Sequence, residues 1–215
     1  MSSPAATQTT LIGTLWPTTK GFISLRTMIL ALLGSAFVAA SAQVQVSLLP
    51  FSPVPITGQT FAVLVVGMAF GWRLGAATLL LYMAEGAVGI PVFAKLSGGL
   101  GVIAGATGGY IVGFVVAAAA VGYLAQRGWD RNVGLTALAM LIGNIAIYLP
   151  GLPWLAVWYA GPGAEYIAAA GTETAVGAAL AAGAAPFLVG DALKLALAAC
   201  VLPLAWKLVG RPRRS

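Results

Sequence analysis

The sequence has no histidine. Without imidazole there is no His-based proton relay, general base or metal site. One cysteine, Cys200, excludes an intrachain disulfide. Charge is scarce: Asp, Glu, Lys and Arg make up 7% of the 215 residues, against about 25% in a soluble domain. Acidic groups are the rarest, five in all. So small a supply cannot cover a water-facing surface. No G-x-x-x-x-G-K-[ST] loop occurs, so the chain has no ATP engine of that kind. No clustered Cys/Asp metal set and no activated nucleophile is visible either. Catalytic residues, metal ligands and a cofactor are therefore not expected, and the chain does not read as an enzyme.

In place of charge stand apolar residues, 60% of the chain, in continuous runs that do not alternate. Such runs point to membrane helices and away from a β-barrel. The expected fold class is all-α: a polytopic membrane protein with six transmembrane helices, at about 27–46, 57–71, 74–89, 102–125, 133–149 and 186–208. Twenty-eight glycines favour close helix contact. Residues 1–23 read as a flexible cytoplasmic leader, 24–208 as the membrane domain and 209–215 as a basic cytoplasmic tail. The stretch up to Ala40-Ser41-Ala42 imitates a secretory signal, but the apolar run continues past it. Pro150 and Pro153 are expected to end the fifth span, leaving 154–159 at the interface. Residues 161–185 carry Glu165 and Glu173 and are expected to form a surface helix.

The net charge is +6, and its distribution decides orientation. Lys20, Arg26, Arg73, Arg127, Arg131, Lys207, Arg211, Arg213 and Arg214 fall on one side of this arrangement, and only Lys95 on the other. By the positive-inside rule both termini are cytoplasmic. The basic residues are spread out and not interleaved with aromatics, so nucleic acid is not an expected partner.

The exception to apolar monotony is Asp191 and Lys194, inside the last span. Three apart on a helix, they share one face. An ionisable group at the centre of a membrane helix costs about 2.5–3.5 kcal/mol on insertion scales, so its presence asks for a reason. The pair either neutralises itself as helix glue, or relays protons, or binds something with charge. Asp191 lies about one turn below the outer face, so a site there opens outward.

Other polar groups converge on the same depth. Thr57, Gln59 and Thr60 follow Pro53-Val54-Pro55 at the outer end of the second span; Thr57 serves as a cap or as a ligand contact. Ser97-Gly98-Gly99-Leu100-Gly101 is a loop whose glycines can bring N–H groups close to an acceptor. Gly101, Gly105, Gly109 and Gly113 form a small-residue ladder, read as packing. Ala36 and Ala40 have the same spacing in the first helix, where they either pack internally or dock a partner. Tyr82, Tyr110, Asn144 and Tyr148 bring polar tips into apolar spans, and a buried amide such as Asn144 needs partners.

Taken together, Val54-Pro55-Ile56-Thr57-Gly58-Gln59-Thr60-Phe61, Gly89-Ile90-Pro91-Val92-Phe93, Thr107-Gly108-Gly109-Tyr110, Gly143-Asn144, Pro153-Trp154 and Gly190-Asp191-x-x-Lys194 resemble BioY, the biotin-binding S component of energy-coupling factor (ECF) transporters. The resemblance covers about 24–208 in the same order. It implies six helices in a bacterial plasma membrane that capture biotin on the outer side. It also implies assembly with a transmembrane, EcfT-like T subunit and two ATP-binding subunits that supply the energy. A small-x-x-x-small face on the first helix, fitted by Ala36 and Ala40, would meet the T subunit. Ala106 and Val189 stand where the family often has proline. The chemistry of biotin, as ligand rather than cofactor, suits the residues. Asp191 can accept ureido N–H groups, Lys194 can pair with the carboxylate, and Asn144 can meet the ureido oxygen. Tyr82, Phe93, Tyr110 and Trp154 can pack on the apolar rings. Thr57, Gln59, Gly98 and Gly99 complete the expected biotin set. The two ends of biotin are interchangeable at this stage. The alternative is a proton-coupled secondary transporter with Asp191 and Lys194 as its relay.

Overall fold

The computed structural model describes residues 10–16 and 25–209. Helix α1, Leu11–Leu15, starts at Thr10, whose hydroxyl accepts from the Gly13 N–H. It falls within the stretch read as a flexible leader and is helical nonetheless. Leu11 is buried, and the Ile12 carbonyl accepts from the Arg26 guanidinium. Lys20, Arg211, Arg213, Arg214 and the tail beyond Val209 lie outside the described residues.

Helix α2, Leu25–Gln43, is followed by two short strands, β1 (Gln45–Val46) and β2 (Ile56–Thr57). They pair antiparallel, Gln45 opposite Thr57 and Val46 opposite Ile56. This ribbon folds the proline-rich segment back on itself and sets the end of α2 beside the start of α3, Gln59–Phe70. Helix α4, Trp72–Ala87, follows after Gly71 alone. Gly71 sits at φ +80°, where a side chain would be strained.

The expected fourth span is broken in two. A short helix α5, Leu100–Ala104, ends at Gly105, and α6, Gly108–Gln126, starts afresh. The fold-back is so tight that a Cβ on Gly108 would lie 1.7 Å from the Ile103 carbonyl oxygen. At the break the Gly105 carbonyl accepts from the Gly108 N–H at 3.2 Å and from the Trp154 indole N–H at 2.9 Å. The glycine ladder therefore divides. Gly109 and Gly113 press against the next long helix, whereas Gly101 has nothing within 4 Å of where a side chain would start.

That next helix, α7, runs Val133–Tyr159 through both prolines, and the interfacial stretch expected at 154–159 is its last part. Each proline forfeits one backbone hydrogen bond. Unwinding in lipid would strand more groups than that, because no water replaces the lost partners. Close packing also fixes the path: a Cβ on Gly151 would touch the Tyr110 ring at 2.7 Å.

Residues 161–185 differ from the expected surface helix. They form two single 3-10 turns, Ala164–Tyr166 and Ala168–Ala170, then α8, Ala175–Gly183. Ala178, Ala179, Ala182 and Gly183 are buried. Their small side chains let α8 lie close to α7; on Gly183 a Cβ would meet Leu155 at 2.5 Å. The last helix is α9, Leu188–Val209.

Among the described residues, four segments are long and apolar enough to cross a membrane: α2, α6, α7 and the α8–α9 stretch Ala175–Val209. The protein is therefore an all-α, multi-pass membrane protein. Helices α3 and α4, with 12 and 16 residues, are shorter than the roughly 20 a straight span needs.

At the α6–α7 turn, Asp130 is 1% exposed and accepts from the Trp206 indole N–H of α9. Arg131 lies over the same indole at 4.3 Å. Burial holds the Asp130 carboxyl above its ordinary value of 3.8, against the lowering effects of Trp206 and Arg131. The folded state then binds a proton more readily than the unfolded chain. This group's contribution to stability accordingly falls as pH rises above its ordinary value. Asp130→Asn is expected to match or exceed the wild-type thermal midpoint at about pH 7 and to lose that advantage near pH 4. Thermal unfolding in detergent at the two pH values checks it.

Candidate functional site

A cavity of about 210 Å³ lies between the N-terminal end of α3, the 93–97 loop, and helices α6, α7 and α9. Its polar floor is the charged pair. Asp191 falls in the first turn of α9, where the helix N-terminus favours a carboxylate, and Lys194 follows one turn on. The Lys194 ammonium is 3.3 Å from Asp191 Oδ1 and donates to Thr60 Oγ1 at 2.8 Å. The Tyr148 hydroxyl donates to Asp191 Oδ2 at 2.6 Å. Asp191 is 6% exposed and lines the cavity with Lys194, so the pair faces neither lipid nor a sealed core.

Asn144, 8% exposed, also lines the cavity; its side chain makes no hydrogen bond among the described residues, and its amide is open to the cavity rather than sealed in the core. An amide offers two donors and one acceptor oxygen. Open to the cavity and not engaged by the protein, it is available to a ligand.

The aromatic wall is built by packing. Tyr110 of α6 lies edge-on to Tyr148 at 6.2 Å, and its hydroxyl donates to the Gly183 carbonyl at 2.9 Å. Phe93 is buried edge-on against Tyr82, with centroids 5.4 Å apart. Tyr82 itself stands behind the wall. Its hydroxyl accepts from Gln59 Nε2 at 2.7 Å and donates to the Val92 carbonyl at 3.0 Å. Thr57 and Gln59 line the cavity and complete this chain: the Thr57 hydroxyl donates to Gln59 Oε1 and accepts from the Gln59 N–H. Thr57 therefore lines the cavity and is not the cap of α3: that position is Gly58, although the Thr57 hydroxyl takes the Gln59 N–H.

Of the expected biotin set, the structure gathers Asp191, Lys194, Asn144, Thr57, Gln59, Phe93 and Tyr110 on one cavity. Tyr82, Trp154, Gly98 and Gly99 do not line it. Trp154 is 41% exposed and spends its N–H on Gly105. The N–H of Gly99 has found its acceptor in the Gly86 carbonyl, at 2.6 Å. Gly98 is tight for another reason, since a Cβ would lie 2.5 Å from the Ile90 carbonyl oxygen. These two glycines seat the loop rather than touch the cavity.

Sequence reasoning left Thr60, Tyr148 and Lys95 out of the site. Tyr148 had a signal: it stands four residues from Asn144, hence on the same helical face. Thr60 had one in its place a turn past Thr57. Lys95 had none, because its position depends on loop shape. It lines the cavity with φ +61°, followed by Leu96 at +52°. Two successive non-glycine residues in that region cost of the order of 1–3 kcal/mol each. Away from the cavity, Ala36 and Ala40 are exposed on α2, beside exposed Leu32, Leu33 and Phe37. Among the described residues no cluster could hold a metal ion.

The model of the BioY family matches residues 12–211. A probable biotin transporter BioY from Pyrococcus horikoshii is 42% identical over 56% of this chain and 68% of its own length. A biotin transporter BioY from Rhizobium etli is 31% identical over 82% of this chain and 91% of its own. Among solved structures, the S-component for biotin from an ECF-type ABC transporter superposes with a TM-score of 0.69. That match has 20% identity over 91% of this chain and 96% of the other, and the likeness is one of fold.

Proposed function

Since the chain belongs to the BioY family, we propose that it is the biotin-binding S component of an ECF-type uptake transporter, a capture module and not an enzyme. The observation that carries the reading is the cavity itself. A carboxylate–ammonium pair and a partnerless amide share one apolar chamber of about 210 Å³. Biotin has an apolar bicycle, a ureido head that both donates and accepts, and a carboxylate tail. Asn144 complements the ureido group, which offers N–H and C=O side by side. Asp191 can accept a further N–H, and Lys194 retains donor capacity beyond its bonds to Asp191 and Thr60. Phe93 and Tyr110 supply apolar walls.

In this reading both termini are cytoplasmic, the cavity opens outward, and the protein sits in a bacterial plasma membrane. The T subunit docks on the α2 face marked by Ala36 and Ala40, and two ATP-binding subunits drive release inward. Exposure of those alanines among Leu32, Leu33 and Phe37 supports the docking face. Family membership does not favour a proton-coupled transporter.

Calorimetric titration of the purified protein tests the reading. One biotin per chain is expected, with weaker binding of desthiobiotin, which keeps the ureido ring and carboxylate but lacks the sulfur ring. Absence of biotin binding by folded protein would refute the proposal.

A further inference from the structure

Gln43 is the last residue of α2, and its side-chain amide reaches off the helix. Nε2 donates to the Phe93 carbonyl at 3.0 Å as well as to Ala39 O at 3.2 Å. Oε1 accepts from the Leu96 N–H at 3.1 Å. The two loop groups lie on one turn, and a side-chain amide supplies both the donor and the acceptor they require. The rest of that turn is closed on itself. Phe93 N–H donates to Ser97 O at 3.0 Å, and Ser97 Oγ donates to Ala94 O at 2.7 Å. Between these ties, Lys95 and Leu96 hold left-handed backbone that residues with side chains rarely adopt unaided. Phe93, Ala94, Lys95 and Ser97 are a wall of the cavity.

We propose that Gln43 is a latch: a positioning residue, out of contact with the ligand, that holds the 93–97 wall closed over bound biotin and so sets its rate of release. The latch also ties that wall to the helix that exposes Ala36 and Ala40, so a shift of α2 would be felt at the cavity. This inference rests on the biotin reading and extends it.

The test uses full-length protein in detergent, loaded with labelled biotin and chased with an excess of unlabelled biotin. Gln43→Met keeps the shape of the side chain and loses both bonds to the loop. Its release is expected to be about tenfold faster, the size expected for two hydrogen bonds of ordinary net strength. Gln43→Glu still accepts from Leu96 N–H but turns a carboxylate oxygen toward the Phe93 carbonyl, acceptor against acceptor, so its release should be at least as fast as that of Gln43→Met. Association rate and sites per chain should match wild type in both. Release within about twofold of wild type from both variants overturns the latch, being less than one such bond is worth. Sites and association rate lost together would also overturn it, since Gln43 would then serve folding alone. Wild-type protein that binds no biotin would sink the biotin reading itself, a result distinguishable from either.

Discussion

Lys194→Ala is expected to weaken biotin binding by about a hundred- to a thousandfold while the protein still folds. Truncating one partner of a buried, hydrogen-bonded charge pair at a binding interface typically costs about 2–5 kcal/mol, and each 1.4 kcal/mol is about tenfold in affinity. In this protein the loss has two parts. The ligand loses an ammonium donor, and of its side-chain partners Asp191 keeps only the Tyr148 hydroxyl. Asp191→Asn should do comparable damage, because the Tyr148 bond survives while the charge that holds Lys194 in place does not. The double variant separates a ligand site from mere glue. If the pair only neutralises itself, removing both charges restores affinity. If biotin uses both, the double variant stays as weak as the worse single one. Calorimetry with each variant, beside a thermal midpoint to confirm folding, gives the answer. Affinity within about tenfold of wild type in Lys194→Ala, which is about 1.4 kcal/mol, would remove the pair from the site.

How much of this site could be read without coordinates depends on which residues are considered. Asp191 and Lys194 were legible because helical periodicity alone puts residues three apart on one face. Asn144 was legible because an amide in an apolar run needs a partner. Phe93 was named for its aromatic bulk, and its place in the wall comes from packing on Tyr82 and on Gly86, which no local pattern encodes. Trp154 illustrates the opposite failure. An aromatic at the right depth looks like a lid for a ring system, yet its N–H is used where the backbone breaks at Gly105. That break was itself hidden, since 102–125 has no proline and reads as one apolar run. The prolines of α7 misled in the other direction. They carry a strong stop signal in water, and in this bundle the cost of exposing backbone to lipid outweighs it. Lys95 and Gln43 were out of reach, because both act through a loop whose shape is set by contacts with distant residues.

Gly113→Leu is expected to abolish recovery of folded, monodisperse protein, while Gly101→Leu should be tolerated. Both glycines belong to the same four-residue ladder in the sequence, and only the structure tells them apart. A Cβ on Gly113 would lie 2.7 Å from the Ile147 carbonyl oxygen and 2.9 Å from its Cα. Both are backbone atoms, so no rotamer change relieves the clash and α6 and α7 must separate. Overpacking a well-filled core by smaller increments already costs about 1–3 kcal/mol. Gly113→Ala should show a loss of that order, and the larger leucine should exceed what the fold can absorb. The consequence reaches the cavity through geometry. Tyr110 lies one turn from Gly113 on α6, and Asn144 and Tyr148 flank Ile147 on α7. The 6.2 Å ring contact between Tyr110 and Tyr148, and hence the hydroxyl that steadies Asp191, depend on this close approach. Gly113→Ala should therefore lose biotin affinity along with stability, although residue 113 does not line the cavity. Gly101, with nothing within 4 Å, should keep both when replaced by leucine. Size-exclusion profiles, thermal midpoints and biotin titrations of the three variants check this. A folded Gly113→Leu protein with wild-type affinity would contradict the packing account and, with it, the route by which two helices bring three polar side chains to one ligand.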